Sequence, residues 1–292
     1  MLKPNTRYSK LKDTYLFNTI YRKTKEYLDA NPGKTVLRMG VGDVSLPLCT
    51  AVIEALHKAV DDQANAATFH GYMPEIGSAD LRHAIKGYYH QMGVCITENE
   101  IFVSSGACDD LGDILELFDR DNTVMVIEPA YPEYVDTNIL AGRKIIHLAS
   151  GKENGFLPEP SKKAEADILY ICSPNNPTGA VYSRRGLQAW VDFANEIGAV
   201  ILFDAAYEIF IEEEDVPHSI YELNGADRCA IEICSLSKTA GFTGTRLGYT
   251  VVPHNLIREG MNLNEMWSRN RETRTNGISY IPVSYTHLRA HE

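Results

Sequence analysis

The chain has 292 residues, of which 44% are hydrophobic and 23% charged, a balance typical of a globular enzyme with one large domain or two smaller ones. Its formal net charge of -11 argues against nucleic acid or an anionic membrane as a partner. Neither a spanning apolar run nor an apolar leader is found, which predicts a cytoplasmic protein. The cysteines and histidines show no metal-ligand spacing and predict no metal site.

Apolar periodicity predicts an arm with an early helix, then two further helices, and from residue 101 onward an alternation of strands and helices. The predicted helices lie near 16–30, 51–62, 81–92, 107–118, 131–140 and 184–197. The predicted strands lie near 101–104, 123–127, 143–148, 167–172, 199–203, 229–234 and 247–252. Such alternation predicts an α/β fold with a mostly parallel sheet between layers of helices.

The segment SLSKTAGFTGTRLGY, which begins at Ser235, follows a short apolar run that predicts a buried strand. It places Ser235 and Ser237 beside Lys238, with Arg246 eight residues further on. Desolvation and a nearby cation favour the neutral, nucleophilic lysine, and an arginine with two hydroxyls suits a phosphate group. The pattern is typical of a lysine that attaches pyridoxal phosphate. A surface lysine in a Gly/Thr-rich loop is the alternative.

Two more strand ends carry polar residues. Asp204 follows the apolar run 200–203, where a carboxylate can keep a pyridine nitrogen protonated, although a helix cap is the alternative role. Tyr207 lies three residues later, within reach of a ring hydroxyl. Asn176 lies in an NNPTG segment that follows a strand, and its side chain is a candidate for a second contact to that hydroxyl. A plain turn is the alternative. The peptide bond before Pro177 is a candidate cis bond.

The run 101–108 predicts a strand that turns into a helix through small residues. Ala107 and Cys108 stand at the helix start, where free N–H groups and the positive end of the dipole favour a phosphate. An ordinary helix N-terminus is the alternative.

These motifs, in this order and spacing, resemble the fold-type I, aspartate-aminotransferase-like pyridoxal-phosphate enzymes. Their detailed residue sequences resemble those of the LL-diaminopimelate aminotransferase family. The resemblance runs from about Tyr15 to Val283. It includes MGVGD at 39–43, GYMPEIG at 71–77 and EPAYP at 128–132.

The resemblance implies a role for each matched residue. Lys238, Asp204 and Tyr207 match the catalytic group: the lysine that binds the cofactor and moves protons, the partner of the pyridine nitrogen, and a contact to the ring hydroxyl. The remaining matches at the cofactor are Tyr131 stacked on the ring, Asn176 at its hydroxyl, and Ala107, Cys108, Ser235, Ser237 and Arg246 at the phosphate end, with Tyr72 from a neighbouring subunit. The matches at the substrate are Tyr15, Gly42, Glu75, Tyr131, Asn176 and Asn276.

The same resemblance implies amino transfer between LL-2,6-diaminopimelate and 2-oxoglutarate, in lysine and peptidoglycan precursor biosynthesis, by a homodimer with shared active sites. Two alternatives stay open: an aminotransferase for another amino acid (aspartate, an aromatic residue or alanine), or a protein that binds the cofactor without activity. Cys108 stands where many relatives carry lysine, so a cation near the phosphate or the distal carboxylate is absent here.

The expected organisation has three parts: an N-terminal arm with part of the small domain at 1–45, a large cofactor-binding domain at 46–283, and a tail at 284–292. The tail does not resemble the family and is interpreted as a foreign or out-of-frame segment. Most of the small C-terminal domain, with its arginine for the substrate carboxylate, is expected to be missing, which predicts a poor transaminase.

Overall fold

The computed structural model describes residues 2–11, 16–37, 42–161 and 165–286. The strands of these residues are β1 (Ile101–Ser104), β2 (Thr123–Glu128), β3 (Lys144–Ala149), β4 (Ile168–Cys172), β5 (Val200–Asp204), β6 (Ala230–Ser235), β7 (Gly248–Val251), β8 (Ile257–Arg258) and β9 (Met261–Asn262). The first seven form one sheet in the order β1-β7-β6-β5-β4-β2-β3, and the last two form a hairpin.

The α-helices of the described residues are α1 (Leu16–Ala30), α2 (Thr50–Gln63), α3 (Ala79–Gln91), α4 (Ala107–Asp113), α5 (Glu133–Ala141), α6 (Arg184–Ile197), α7 (Leu236–Thr239), α8 (Leu263–Arg274) and α9 (Tyr280–Val283). The helix predicted at 107–118 is split, because α4 ends at Asp113 and a 3-10 turn, Ile114–Leu117, continues it.

The predicted α/β fold with a mostly parallel sheet is confirmed. β2 pairs in parallel with β3 and β4, β4 with β5, and β5 with β6. Only β7, among the strands of this sheet, runs antiparallel to both of its neighbours.

The central strands are buried on both faces, as their continuous apolar sequences predict. Alternate side chains feed two hydrophobic clusters, one on each side of the sheet. One contains Trp190 and Phe203, and the other contains Phe102 and Trp267. In β4 and β5 the one charged residue, Asp204, stands at the strand end.

The carboxyl ends of β4, β5 and β6 meet at one edge of the sheet. Register pairing sets Cys172 opposite Asp204, and Asp204 opposite Ile233, two residues before Ser235. Asp204 is the last residue of β5, whereas the sequence places it just after the strand. Ligands of open α/β sheets bind at this edge.

Both ends of the described chain pack against the body. Asn5 donates a hydrogen bond to the Leu140 carbonyl (3.2 Å). Tyr285 is buried in the core, with its ring centroid 5.6 Å from that of Phe242. The division at residue 284 stays a prediction. No helix of the described residues is long and apolar enough to cross a membrane.

Gly248 tests how closely α4 packs on the sheet. A Cβ at Gly248 lies 2.8 Å from the Cys234 carbonyl oxygen and 2.9 Å from the backbone nitrogen of Ala107, both backbone atoms that cannot rotate away. We predict that Gly248→Ala lowers the free energy of unfolding by about 1–3 kcal/mol, as overpacking does. Urea denaturation of the apoprotein measures it.

The control is Gly87, an exposed glycine inside α3 with no atom near its Cβ position. Gly87→Ala is expected to raise the free energy of unfolding by about 0.5–1 kcal/mol, because alanine favours the helix. An unchanged stability of Gly248→Ala would show that α4 is not seated closely on the sheet.

Candidate functional site

Lys238 lies just beyond the end of β6, in the single turn of α7. Ser235 caps this turn, its hydroxyl accepting a hydrogen bond from the Ser237 N–H (3.1 Å). The cap fixes where the lysine emerges from the sheet edge. Lys238 is half-buried, and its Nζ donates a hydrogen bond to the Gly42 carbonyl.

The surroundings of Lys238 favour its neutral form. Burial lowers the pKa of the Lys238 ammonium, and the Arg246 guanidinium lowers it further, while the Asp43 carboxylate opposes both. A lysine whose pKa is lowered by burial and by another cation is a candidate nucleophile.

Gly42 brings Lys238 and Tyr207 to one point. A Cβ at this glycine lies 3.7 Å from the Tyr207 hydroxyl and 3.9 Å from Lys238 Nζ, so both groups face the same small space. Burial and the Asp204 charge raise the pKa of Tyr207, which keeps its hydroxyl protonated as a donor. The structure therefore unites three of the residues predicted from sequence.

Asp204 is 6% exposed, and burial raises the pKa of its carboxyl. One carboxyl oxygen accepts from the Tyr134 hydroxyl (2.5 Å), and the other from the Ala206 N–H (3.0 Å). No cation among the described residues pairs with it. The helix-cap role is not observed, because Tyr207 precedes the next 3-10 helix. A buried carboxylate without a counter-ion is suited to a cationic ligand group.

Tyr134 is a site residue that the sequence analysis missed. It lies in the first turn of α5, three residues after Tyr131, which precedes the helix. The available signal was this spacing of three from a predicted ring-stacking residue, within the helix predicted at 131–140. The Tyr134 ring stacks on Tyr170 (centroids 4.7 Å apart) and packs edge-on against Tyr131 (5.6 Å). This stack carries the Tyr134 hydroxyl to Asp204.

Arg246 marks the opposite, positive end of the site. Its guanidinium donates to the Ser237 hydroxyl (3.2 Å) and lies against Gly106, where a Cβ would overlap it. Gly106 precedes α4. This end of the site therefore brings together the Arg246 guanidinium, the hydroxyls of Ser235 and Ser237, and the first N–H groups of α4. Cationic and N–H donors together suit a phosphate group.

Cys108 and Tyr131 lie beside this positive end. The Tyr131 hydroxyl is 3.8 Å from the Cys108 sulfur. Burial, together with Glu133, raises the pKa of the Cys108 thiol, so this side chain stays neutral where a lysine would add a charge.

Asn176 follows β4 at the same sheet edge. Its backbone hydrogen-bonds the thiol of Cys172, the register partner of Asp204. The Asn176–Pro177 bond is cis, as the sequence suggested.

Two of the predicted substrate residues, Tyr131 and Asn176, are described above, and the others within the described residues fall in two places. Gly42 lies at Lys238, as described above. Asn276 is exposed and adjoins Gly277, whose Cα lies against the Met73 carbonyl, so its segment meets the loop that carries Tyr72 and Glu75. Tyr72 is 90% exposed, and Glu75 is also exposed. Tyr15 lies outside the described residues.

Comparison with known proteins places this chain in a family. The profile of the family described as aminotransferase class I and II matches residues 34–279. The LL-diaminopimelate aminotransferase of Agathobacter rectalis is 50% identical over 294 aligned residues, which span 96% of this chain and 72% of the relative. The protein of the same name from Desulfotalea psychrophila is 46% identical, with the same coverage.

Solved structures agree in fold. The LL-diaminopimelate aminotransferase from Chlamydomonas reinhardtii is 37% identical, with a TM-score of 0.92 over 99% of this chain and 74% of that chain. A double mutant of the Thermus thermophilus aspartate aminotransferase, at 23% identity, shares the fold with a TM-score of 0.84 over 99% of this chain and 72% of that chain. The chain therefore belongs to the class I and II aminotransferases, and within them to the LL-diaminopimelate aminotransferase family.

Proposed function

We propose that this aminotransferase binds pyridoxal 5'-phosphate through Lys238 and transfers amino groups between LL-2,6-diaminopimelate and 2-oxoglutarate. The observation that carries the cofactor assignment is the charge arrangement of the site. A buried carboxylate without a cation, Asp204, lies at the same sheet edge as a lysine with a lowered pKa and an arginine that donates to the Ser237 hydroxyl.

The donor set fits this cofactor at each of its groups. Asp204 would hold the pyridine nitrogen, Tyr207 and Asn176 the ring hydroxyl, and Lys238 the carbonyl carbon. The phosphate would be held by Arg246, Ser235, Ser237 and the α4 start at Ala107 and Cys108. Tyr131, fixed edge-on against Tyr134, presents an aromatic face for stacking on the ring.

When bound, pyridoxal phosphate supplies a carbonyl that takes up the amino group and a ring that withdraws electrons from the substrate Cα. Lys238 Nζ accepts the Cα proton of the amino acid and returns a proton as the oxo acid forms. Its lowered pKa keeps it able to accept that proton. Asp204, buried and fixed by Tyr134, holds a proton at the ring nitrogen, and Tyr207 donates to the ring oxygen.

The substrate assignment rests on the relatives, which carry the name LL-diaminopimelate aminotransferase at 46–50% identity. We assign Glu75 to the distal ammonium of the substrate, with Asn276 and Gly42 as further contacts. Tyr72 projects into solvent, which is consistent with a homodimer in which it reaches the phosphate of the partner subunit's site.

We predict that borohydride reduction of the holoprotein fixes the pyridoxyl label on the peptide that contains Lys238. Lys238→Ala is expected to lose the label completely, because the half-buried, cation-adjacent amine is the reactive one. Peptide mapping by mass spectrometry makes the measurement. The matched control is Lys144→Ala, an exposed lysine on β3. Label on any lysine other than Lys238 contradicts the assignment.

The reactivity of Lys238 should depend on Arg246. Because the guanidinium lowers the pKa of the Lys238 ammonium, Arg246→Gln is expected to raise that pKa. At a given pH less of the amine is then neutral, so the midpoint of the labelling rate against pH moves upward. Pyridoxal without phosphate is the probe, since the variant also removes a phosphate donor. An unmoved or lowered midpoint would show that this charge does not act on Lys238.

The proposed activity is tested by single turnover of the holoprotein. Adding LL-diaminopimelate is expected to convert the cofactor absorbance band to that of its amino form, and 2-oxoglutarate to restore it. Aspartate, alanine and aromatic amino acids serve as competing substrates. If one of them reacts about tenfold faster, the substrate assignment is wrong. If none changes the band, the chain binds the cofactor without transfer activity.

A further inference from the structure

A buried ion pair lies outside the predicted site, between α4 and α8. Asp110 is 1% exposed and Arg271 is 4% exposed, with 3.7 Å between the Asp110 Oδ1 and Arg271 Nη1 atoms. Arg271 also donates to the Val103 carbonyl (2.9 Å) and lies over the Trp267 ring (5.5 Å to the centroid). Buried pairs of this kind add little net stability over an apolar replacement, so a role in placing other groups is the more informative explanation.

The hydroxyl of Ser104 connects this ion pair to the turn at the phosphate end of the site. Ser104 donates a hydrogen bond to the second carboxyl oxygen of Asp110. The same Ser104 oxygen accepts from the Gly106 N–H (3.3 Å). Gly106 is the residue against which the Arg246 guanidinium lies, and its φ of 137° suits glycine. A continuous chain of contacts thus runs from Arg271 to the turn where β1 becomes α4.

Arg271 connects the same chain to the substrate side. It lies in the last turn of α8, which ends three residues later and leads directly to Asn276. The next residue, Gly277, lies against the Met73 carbonyl in the loop of Tyr72 and Glu75. The ion pair therefore holds the phosphate turn and the Asn276 segment against each other.

We propose that Asp110 and Arg271 are positioning residues that act through Ser104 to fix the Ser104–Gly106 turn for the cofactor phosphate. Asp110 orients the Ser104 hydroxyl so that its lone pair receives the Gly106 N–H. Arg271 keeps the Asp110 carboxylate in place from α8. The inference rests on the proposed function, because it concerns how that cofactor is held.

Opposing interactions act on the pKa of Asp110. Burial raises the pKa of Asp110 to about 7, and Arg271 opposes that rise, as does the Ser104 hydrogen bond. Asp109 and Asp113, also on α4, raise it further. Replacing the carboxyl directly leaves a buried arginine without its partner and can unfold the chain. Ser104→Ala avoids that problem, because it removes the hydroxyl that joins Asp110 to Gly106 and leaves the charges of Asp110 and Arg271 in place.

The test compares binding of pyridoxal 5'-phosphate with binding of phosphate-free pyridoxal, by fluorescence titration of the 292-residue apoprotein. Ser104→Ala is expected to weaken binding of the phosphate-bearing cofactor about tenfold, on the scale of a charge-assisted contact. Asp110→Asn is expected to do the same provided that its circular dichroism spectrum matches that of the parent. Binding of pyridoxal should stay within about twofold of the parent. The matched control is Glu116→Gln, which breaks an exposed ion pair with Arg274 of the same α8; both dissociation constants should stay unchanged.

Each outcome decides between alternatives. Equal weakening of both ligands by Ser104→Ala, or the same selective loss in Glu116→Gln, means a general structural effect and overturns the inference. Unchanged phosphate selectivity in Ser104→Ala also overturns it, while the proposed function stands if the parent binds the cofactor. A parent that binds neither ligand overturns both.

Discussion

The burial of Asp204 at the end of β5 is the constraint on which the site depends. Asp204 is 6% exposed, and its carboxyl accepts from the Tyr134 hydroxyl and the Ala206 N–H and has no cationic partner among the described residues. Leaving a charge in that environment is unfavourable, and the pKa of Asp204 is accordingly raised by burial. A ligand with a cationic N–H group removes that penalty. The proposed cofactor, through its pyridine nitrogen, is a ligand of this kind.

The rest of the site is arranged by the same sheet edge. Parallel register brings the ends of β4, β5 and β6 together, which sets Cys172 beside Asp204, and Asp204 beside Ile233, two residues before Ser235. The negative charge lies at Asp204 and the positive charge lies at Arg246. A ring nitrogen and a phosphate at opposite ends of one ligand match this separation. The aromatic stack of Tyr134 on Tyr170 supports the negative end, and the Ser104–Gly106 turn supports the positive end.

Sequence reasoning identified the parts whose signals are local. Apolar runs located the central strands, and Lys238, Asp204 and Arg246 stood out because each follows a buried strand or lies in one short motif. It missed Tyr134, Asp110 and Arg271, since their importance arises from contacts between distant segments, such as Arg271 with Val103. It also did not foresee that the helix begun at Ala107 becomes a 3-10 turn at Ile114, a detail of packing that periodicity does not encode.

The central claim is that Asp204 holds a proton at the pyridine nitrogen of a bound cofactor. The most direct measurement is the ¹⁵N chemical shift of ring-labelled pyridoxal phosphate bound to the parent protein and to Asp204→Ala. The account predicts a protonated ring nitrogen in the parent at neutral pH and an unprotonated one in the variant. An unprotonated nitrogen in the parent, or the same shift in both proteins, would contradict it.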